Sequence, residues 1–121
     1  MREVTKLAQQ FCELLRAGRF LEAGERFWAS DIKSVDPPPL PDGTPAIVEG
    51  FAGVKEKTKR WFERCAMDDL EIEGPFINGD TFLVVLTFVV RVRATGETRP
   101  IREFAVFVVE SGKIAEERHF Y

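Results

Sequence analysis

The sequence contains few of the residue types that usually indicate a particular chemistry. It contains one histidine and two cysteines in 121 residues, so the ligand set of a zinc site is missing, and we expect Cys12 and Cys65 to be reduced thiols. It also lacks a GxGxxG fingerprint, a Walker loop and a GxSxG elbow, which excludes the common nucleotide-binding folds and the serine hydrolases with that motif. We therefore expect neither a metal nor a cofactor.

Long apolar segments and basic patches are also missing. The longest apolar run, residues 82–90, is too short to span a bilayer and is interrupted by Thr87. The amphipathic, acid-containing N-terminus predicts a helix of the mature fold and not a signal peptide. The formal net charge is −3, with Lys and Arg scattered singly, so we expect no nucleic-acid partner. These features together predict a cytoplasmic protein without a membrane partner.

Phenylalanine is the residue type in surplus. The chain has 11 Phe and 2 Trp against 1 Tyr, and its length fits one domain, residues 1–121. So many large apolar rings exceed what one small core usually takes up. The surplus predicts either a lined cavity or a face that binds a partner.

The first half of the chain has helical periodicity. Apolar residues spaced three and four apart predict a helix over 3–17, and shorter helices are expected over 20–28 and 53–64. A short strand is expected over 31–36. Residues 36–45 hold five of the seven prolines, which predicts a stiff, extended loop.

From Met67 onward the apolar period is two. Three turn signals, Asn78-Gly79, Thr95-Gly96 and Ser111-Gly112, divide this half into four strands of an antiparallel meander. Helices followed by such a meander indicate an α+β fold with the helices packed on one face of the sheet. Both sheet faces are apolar, so the second face also needs a cover, and a second copy of the chain is the economical one. The sequence therefore predicts a homodimer through the outer sheet face.

Turn chemistry predicts which strand residues share a face. Two-residue loops pair residues of opposite parity across each hairpin, and only a β-bulge would break this rule. Periodicity alone does not decide which face lines a cavity. One face is expected to carry Phe76, Thr87, Arg102, Phe104, Glu117, His119 and Tyr121. The other is expected to carry Phe82, Phe88, Ile101, Glu103, Phe107 and Phe120.

Three stretches carry a family likeness. They are residues 18–37, with Trp28-Ala-Ser-Asp31 and Asp36-Pro37; Glu49-Gly-Phe-Ala-Gly-Val54; and Glu110-Ser-Gly-Lys-Ile114 with the strand that follows it. In this order they resemble the nuclear transport factor 2-like superfamily, in particular its SnoaL-like and ketosteroid isomerase-like branch. The resemblance implies a cone-shaped α+β fold, in which three N-terminal helices pack on a curved, mainly antiparallel sheet and enclose a pocket.

The resemblance also implies positions for functional residues. It turns Glu117, His119 and Tyr121 toward the pocket, so their whole face, including Thr87, Arg102 and Phe104, is expected to bind substrate. Asp36 stands where the isomerases carry a proton-shuttling aspartate. Phe11 and Phe104 stand where those enzymes place their oxyanion-hole tyrosine and aspartate. Because phenylalanine donates no hydrogen bond, the usual steroid isomerase mechanism is not expected.

Each candidate for the chemistry has a structural alternative. Asp36 beside an apolar cavity is a candidate general base, or a residue that bonds its own backbone before the prolines. The sole histidine, His119, lies two residues from Glu117 on one strand face, which suits an acid–base pair, or it is a satisfied core residue.

The candidates for ligand binding have alternatives of the same kind. Arg102 is placed to hold an anionic ligand, or the terminal carboxylate of the chain. Trp28 and Trp61 could stack on a planar ligand or belong to the core. We expect the pocket to bind a small, largely apolar molecule, with proton transfer by an isomerase, cyclase or hydratase as the activity. The alternatives are a non-catalytic ligand-binding protein and a dimeric association module.

Overall fold

The structure is a computed structural model that describes residues 2–38, 43 and 45–121. Half of the proline-rich loop expected over 36–45, namely residues 39–42 and 44, lies outside the described residues. Its described ends leave β1 and enter β2, and Asp36 N–H bonds to the carbonyl of Ala46 at 2.8 Å.

Three helices precede the long strands, as the apolar periodicity predicts. They are α1 (Arg2–Arg16), α2 (Phe20–Phe27) and α3 (Phe51–Arg64). Helix α3 begins two residues before the predicted start, because Gly50 adopts a φ of 91° and serves as the residue before its first turn. The stripe that α1 buries has the expected spacing: Val4, Leu7, Ala8, Phe11, Cys12 and Leu15.

Six strands form one sheet in the order β2-β1-β6-β5-β4-β3. All neighbours are antiparallel except β1 and β6, which pair in parallel. The first strand is longer than predicted, and β2 is an addition that the sequence did not reveal. The strands are β1 (Trp28–Val35), β2 (Ile47–Glu49), β3 (Cys65–Asn78), β4 (Thr81–Val92), β5 (Thr98–Glu110) and β6 (Lys113–Phe120).

The core lies between the helices and one face of this sheet, and aromatic rings fill its centre. Phe11 of α1 makes edge contacts with Phe27, Phe82 and Phe107, with ring centroids 4.9–6.2 Å apart. The last two rings stack on each other at 4.9 Å. The three helices and the sheet therefore form the predicted α+β arrangement, and part of the phenylalanine surplus belongs to its interior.

The predicted strand faces are wrong for β4 and β5, and a bulge in β6 is the reason. Val109 pairs with Ile114, but Val108 pairs with Glu116, so Ala115 is an extra residue on β6. Beyond this bulge the pairing is shifted by one residue relative to the prediction. It places Glu117 opposite Phe107 on the same face of the sheet.

The inner face of β4 and β5 is consequently the one that the turn rule placed outside. Its members include Phe82, Leu86, Phe88, Ile101, Glu103, Ala105 and Phe107. Thr87, Arg102 and Phe104 alternate with these residues and lie on the outer face, together with Phe120. Since both faces of the strands are apolar, hydrophobic patterning does not fix the register there, and one unpaired residue is enough to reverse the assignment.

Within the described part of the chain, no helix has the length and apolar character needed to cross a membrane.

Candidate functional site

A cavity of about 750 Å³ lies between the helices and the inner face of the sheet. Its walls come from all three helices and from strands β3 to β6, and most of them are apolar. The charged lining residues form two groups, one near β1 and β6 and the other around the C-terminal end of α3. The apolar wall includes Phe11, Leu15, Phe20, Trp28, Trp61, Phe62, Met67, Leu86, Phe88, Val90, Ile101, Ala105 and Phe107.

The parallel pairing of β1 with β6 creates the first charged group. It sets Ser34 beside Glu117 and Val35 beside Arg118, so the polar end of β1 lies against the inward-facing residues of β6. Asp36 follows immediately after β1 and is buried. This strand pair therefore brings residues more than 80 positions apart in sequence to one end of the cavity.

Glu117 is a buried carboxylate with three hydrogen-bond partners. Its Oε1 accepts the indole N–H of Trp28 at 2.9 Å, and its Oε2 accepts from the hydroxyl of Ser34 at 2.8 Å and from His119 Nε2 at 2.9 Å. Burial alone would raise the pKa of Glu117, but the hydrogen bond and charge of His119, assisted by Ser34 and Lys57, hold that pKa below its ordinary value. Glu117 is thus a fixed carboxylate whose two oxygens are both engaged.

His119 bridges two carboxylates. Its Nδ1 lies 2.7 Å from Glu103 Oε2, and its Nε2 lies 2.9 Å from Glu117 Oε2. Burial would lower the pKa of His119, but hydrogen bonds and charge from the two carboxylates outweigh it and raise that pKa to about 10. At neutral pH the ring is therefore an imidazolium that donates from both nitrogens. It has no lone pair with which to accept a proton from a substrate.

Asp36 lies on the other side of the site. Its Oδ2 forms an ion pair with the ammonium of Lys57, and its Oδ1 accepts from the phenol of Tyr121 at 3.3 Å. Lys57 also donates to Ser34 Oγ at 2.7 Å. Since Ser34 donates to Glu117, one continuous network of hydrogen bonds and ion pairs joins Tyr121 to Glu103 through five residues: Asp36, Lys57, Ser34, Glu117 and His119.

The charged groups of the site differ in the chemistry of their partners. Glu117, His119 and Asp36 all line the cavity, but the partners of Asp36 differ from those of the other two: they are Lys57 and Tyr121, groups that can also donate to an anionic oxygen. Glu103 also lines the cavity and bonds to His119 through one of its two oxygens. The site can therefore present a carboxylate together with adjacent cationic and phenolic donors to a molecule in the cavity.

The structure brings six of the nine predicted site residues to the cavity. Its wall includes Asp36, Glu117, His119, Trp28, Trp61 and Tyr121. Trp28 belongs to the core, as one of its two alternatives had it, and its ring also lines the cavity. Thr87, Arg102 and Phe104 lie on the outer face and do not reach the cavity, which corrects the face that we assigned to them. Arg102 there lies opposite Thr87, and its guanidinium stands 5.8 Å from the Phe104 ring centroid.

Sequence reasoning missed three residues of the network. Glu103 was assigned to the outer face by the same register error that displaced Phe104. Lys57 lies among other charged residues of α3 and does not stand out, although its spacing from Val54 and Trp61 places it on the side that packs toward the sheet. Ser34 gave no signal of its own, because its role depends on the parallel pairing with Glu117.

Within residues 2–38, 43 and 45–121, no group of three or more His, Cys, Asp or Glu side chains is arranged to hold a metal ion.

Comparisons with known proteins identify the family to which this fold and cavity belong. The family model of the SnoaL-like domain matches residues 3–121. The chain belongs to the SnoaL-like family. Members of this family fall in the nuclear transport factor 2-like superfamily, so the cone-shaped fold implied by the sequence resemblance is confirmed.

Solved structures agree with the SnoaL-like assignment. A Mesorhizobium loti protein named a SnoaL-like polyketide cyclase is 34% identical, with 98% of each chain covered and a TM-score of 0.90. A nuclear transport factor 2-like protein of unknown function from Burkholderia pseudomallei is 17% identical, with coverage of 100% and 92% and a TM-score of 0.83. TerC, co-crystallised with polyporic acid, is 20% identical, with coverage of 98% and 91% and a TM-score of 0.78. Among curated protein sequences, none matches this SnoaL-like chain.

Proposed function

We propose that the cavity binds a small, flat and largely apolar molecule, and that Asp36 transfers a proton on it. The observation that carries this proposal is the position of a buried carboxylate at one end of an apolar cavity of about 750 Å³. A cavity of this size is typical of small-molecule sites, in which apolar walls bind the ligand and a few polar groups orient it. The reaction class would be that of an isomerase, a cyclase or a hydratase.

The surroundings of Asp36 support its role as the general base. A carboxylate at the edge of an apolar cavity can reach a carbon-bound proton next to a carbonyl group. Lys57 and Tyr121 already contact Asp36, so both can donate to the oxygen on which negative charge develops when that proton leaves. His119 is a poor base because both of its nitrogens donate to carboxylates. We therefore prefer Asp36 over the Glu117–His119 pair.

The relatives support the same class of ligand. The Mesorhizobium loti protein is named a polyketide cyclase, and ring closure of that kind begins when a proton is removed next to a carbonyl. TerC was crystallised with polyporic acid. The free thiols of Cys12 and Cys65 fit a reducing compartment, so we also propose a cytoplasmic location.

Hydrogen–deuterium exchange of a model ketone tests the proposal. The probe is 2-tetralone in D2O, which exchanges the protons next to its carbonyl, followed by proton NMR. We expect the protein to accelerate exchange, and Asp36→Asn to reduce the acceleration by about 10²-fold, the usual contribution of a general base. The matched control is Asp31→Asn, because Asp31 is an exposed aspartate of β1, the strand that Asp36 follows.

Binding is measured separately from exchange. Trp28 and Trp61 both line the cavity, and they are the only two tryptophans, so their indole N–H signals in ¹⁵N-labelled protein report occupancy. If 2-tetralone moves both signals but Asp36→Asn exchanges as fast as the wild type, Asp36 is not a base and a non-catalytic binding protein remains. If a panel of flat ketones moves neither signal, ligand binding is wrong and an association module remains.

We further propose that the outer sheet face pairs with a second copy of the chain. Phe104 and Phe120 lie opposite each other across β5 and β6 and are 43% and 51% exposed. Val106 and Val108 extend this apolar surface along β5. Apolar area of this extent on a sheet is typical of an association surface.

Sedimentation equilibrium tests the pairing at micromolar concentration. We expect a mass of twice 13.8 kDa for the wild type, and a monomer for Phe104→Glu, because the substitution would bury a charge at the interface. Arg99→Glu is the matched control, since this residue lies on the cavity side of the same strand. A monomeric wild type would rule out the dimer and leave the ligand proposal intact.

A further inference from the structure

The cavity has a second charged end, distinct from the network around Asp36. Arg60 and Arg64 on α3 and Arg99 on β5 line it, together with a single carboxylate, that of Glu97. All four residues are exposed, so this end of the cavity opens to solvent. The chain as a whole carries a net charge of −3, which makes this excess of positive charge a local property of the cavity mouth.

The α3 wall fixes the direction from one charged end to the other. Lys57, Arg60 and Arg64 are spaced three and four residues apart and line the cavity, so they form one row along the helix. With a rise of about 1.5 Å per residue, Arg64 stands roughly 10 Å further along the axis than Lys57. The row therefore runs from the Asp36 end to the mouth.

The β5 wall gives the same direction independently. Glu103, Ile101 and Arg99 alternate along the strand and all line the cavity. At about 3.4 Å per residue, Arg99 lies roughly 13 Å from Glu103. Both walls thus place guanidinium groups about 10–13 Å from the ionised network, with apolar side chains between the two ends.

Two of the guanidinium groups at the mouth, those of Arg60 and Arg99, are available to a ligand. In the described part of the chain, neither Arg60 nor Arg99 makes an ion pair or a hydrogen bond through its guanidinium group. Arg91, one strand away, contrasts with them, because it is held by Asp68 at 2.9 Å. An unengaged guanidinium group offers a planar pair of donors that matches a carboxylate.

We propose that the natural ligand is a flat molecule, two or three rings long, that carries a carboxylate at the end opposite its reacting group. Arg60 and Arg99 bind this carboxylate at the mouth, while the rings fill the apolar section and the other end meets Asp36. This assignment rests on the proposed function in that it takes the cavity to be the ligand site. It adds the charge, the length and the orientation of the ligand.

A matched pair of probes tests the assignment. We use 4′-hydroxybiphenyl-4-carboxylate and its carboxamide, which share shape and length and differ in charge. The dissociation constant is read from the shift of the Trp61 indole N–H, because this ring lines the cavity and binding to the outer face would leave it unmoved. We expect the carboxylate to bind about tenfold more tightly than the amide, and added salt to narrow the difference.

Variants locate the carboxylate. The double variant Arg60→Gln/Arg99→Gln is expected to bind the carboxylate as weakly as the amide, with its affinity for the amide unchanged. Arg102→Gln is the control, since Arg102 is an exposed arginine of the same strand on the outer face; it should keep the preference. If the wild type binds the amide as tightly as the carboxylate, the proposed carboxylate site is wrong, but the proposal that the cavity binds a ligand stands. If neither probe moves the Trp61 signal, the binding proposal fails with it.

Discussion

The indole N–H of Trp28 donates to Oε1 of Glu117 at 2.9 Å, and this contact depends on a glycine four residues earlier. A Cβ at position 24 would overlap the six-membered ring of Trp28. Gly24 therefore lets the indole lie flat against α2 and aim its N–H into the site. The interaction connects the helical layer to the carboxylate on which the whole ionic network is centred.

Removing this indole donor should destabilise the protein. Trp28→Phe leaves Oε1 of a buried carboxylate without its partner. We expect this to lower the free energy of unfolding by about 1–3 kcal/mol, in addition to the destabilisation caused by the smaller ring. Trp61→Phe is the control, because Trp61 lines the same cavity and loses the same atoms. Urea unfolding of both variants at pH 7 measures the difference. Equal losses would show that the Trp28–Glu117 hydrogen bond contributes nothing.

Adding a methyl group at position 24 should have a comparable effect. Gly24→Ala forces the Trp28 ring away from α2, and we expect about 1–3 kcal/mol of destabilisation, as for other overpacked cores. Gly53→Ala is the matched change in α3, where the new Cβ meets only Val48 Cγ1 at 3.1 Å. Since alanine favours helix, that variant should unfold within about 1 kcal/mol of the wild type. Thermal or urea unfolding compares the two, and a Gly24→Ala protein as stable as Gly53→Ala contradicts the close packing.

His119 should remain protonated through the physiological pH range. Two carboxylates raise its pKa to about 10, and it is the only histidine, so its ring signals can be followed by NMR without assignment variants. We expect no titration between about pH 5 and pH 8, given the ordinary histidine pKa of about 6.5. Glu103→Gln removes one of the two negative charges beside the ring and should bring the titration to lower pH. A wild-type titration near 6.5 would contradict the bridged geometry.

The same groups predict how stability depends on pH. Because the pKa of His119 is higher in the folded state, its contribution is fully present below about pH 6.5 and is lost as the pH rises through about 10. The pKa of Glu117 is lowered, so its contribution is present above its unfolded value of 4.5 and is lost as the pH falls through the lower folded value. The free energy of unfolding should therefore fall by a few kcal/mol on the alkaline side, measured by urea unfolding from pH 6 to 10. In Glu103→Gln this fall should begin at a lower pH.

The two thiols should differ in reactivity. Burial raises the pKa of Cys12 to about 11, so little reactive thiolate forms there at neutral pH. Cys65 is partly exposed and lines the cavity. We expect a maleimide at pH 7 to modify one site per chain, with Cys65→Ser abolishing the reaction and Cys12→Ser preserving it, read by intact mass spectrometry. Bound ligand should slow the modification of Cys65, and rapid labelling of Cys12 would show that α1 opens readily.

The helices were predictable from the sequence because the apolar spacing that indicates a helix lies within the helix itself. The buried stripe of α1 follows from spacing alone, and Gly18 ends the helix where glycine is expected. The register of the sheet was not predictable in the same way. Ala115 has no property that identifies it as an unpaired residue. Because β4 and β5 carry apolar side chains on both faces, their hydrophobic pattern does not show which face is the inner one.

The same distinction applies to the residues of the site: some can be predicted without the sheet register and others cannot. Asp36, Glu117 and His119 could be found because their types and the family resemblance point to them without any need for register. Glu103 could not, since its side of the sheet follows from the pairing of Ala105 with His119. Lys57 was hidden by its neighbours Lys55 and Lys59, which make the helix look uniformly solvated until its packing side is known.

The bulge at Ala115 also determines where the chain tolerates a change of length. Deleting Ala115 would leave Ile114 opposite Val109 and Glu116 opposite Val108, a regular ladder in which Glu117 still faces Phe107. Deleting Arg118 instead would move Phe120 into the position of His119, so that an aromatic ring would replace the imidazole of the charged network. Two deletions only three residues apart would thus have opposite consequences. We therefore expect a deletion at position 115 to keep the cavity residues of β6 in place, and a deletion at position 118 to change the chemistry of the cavity.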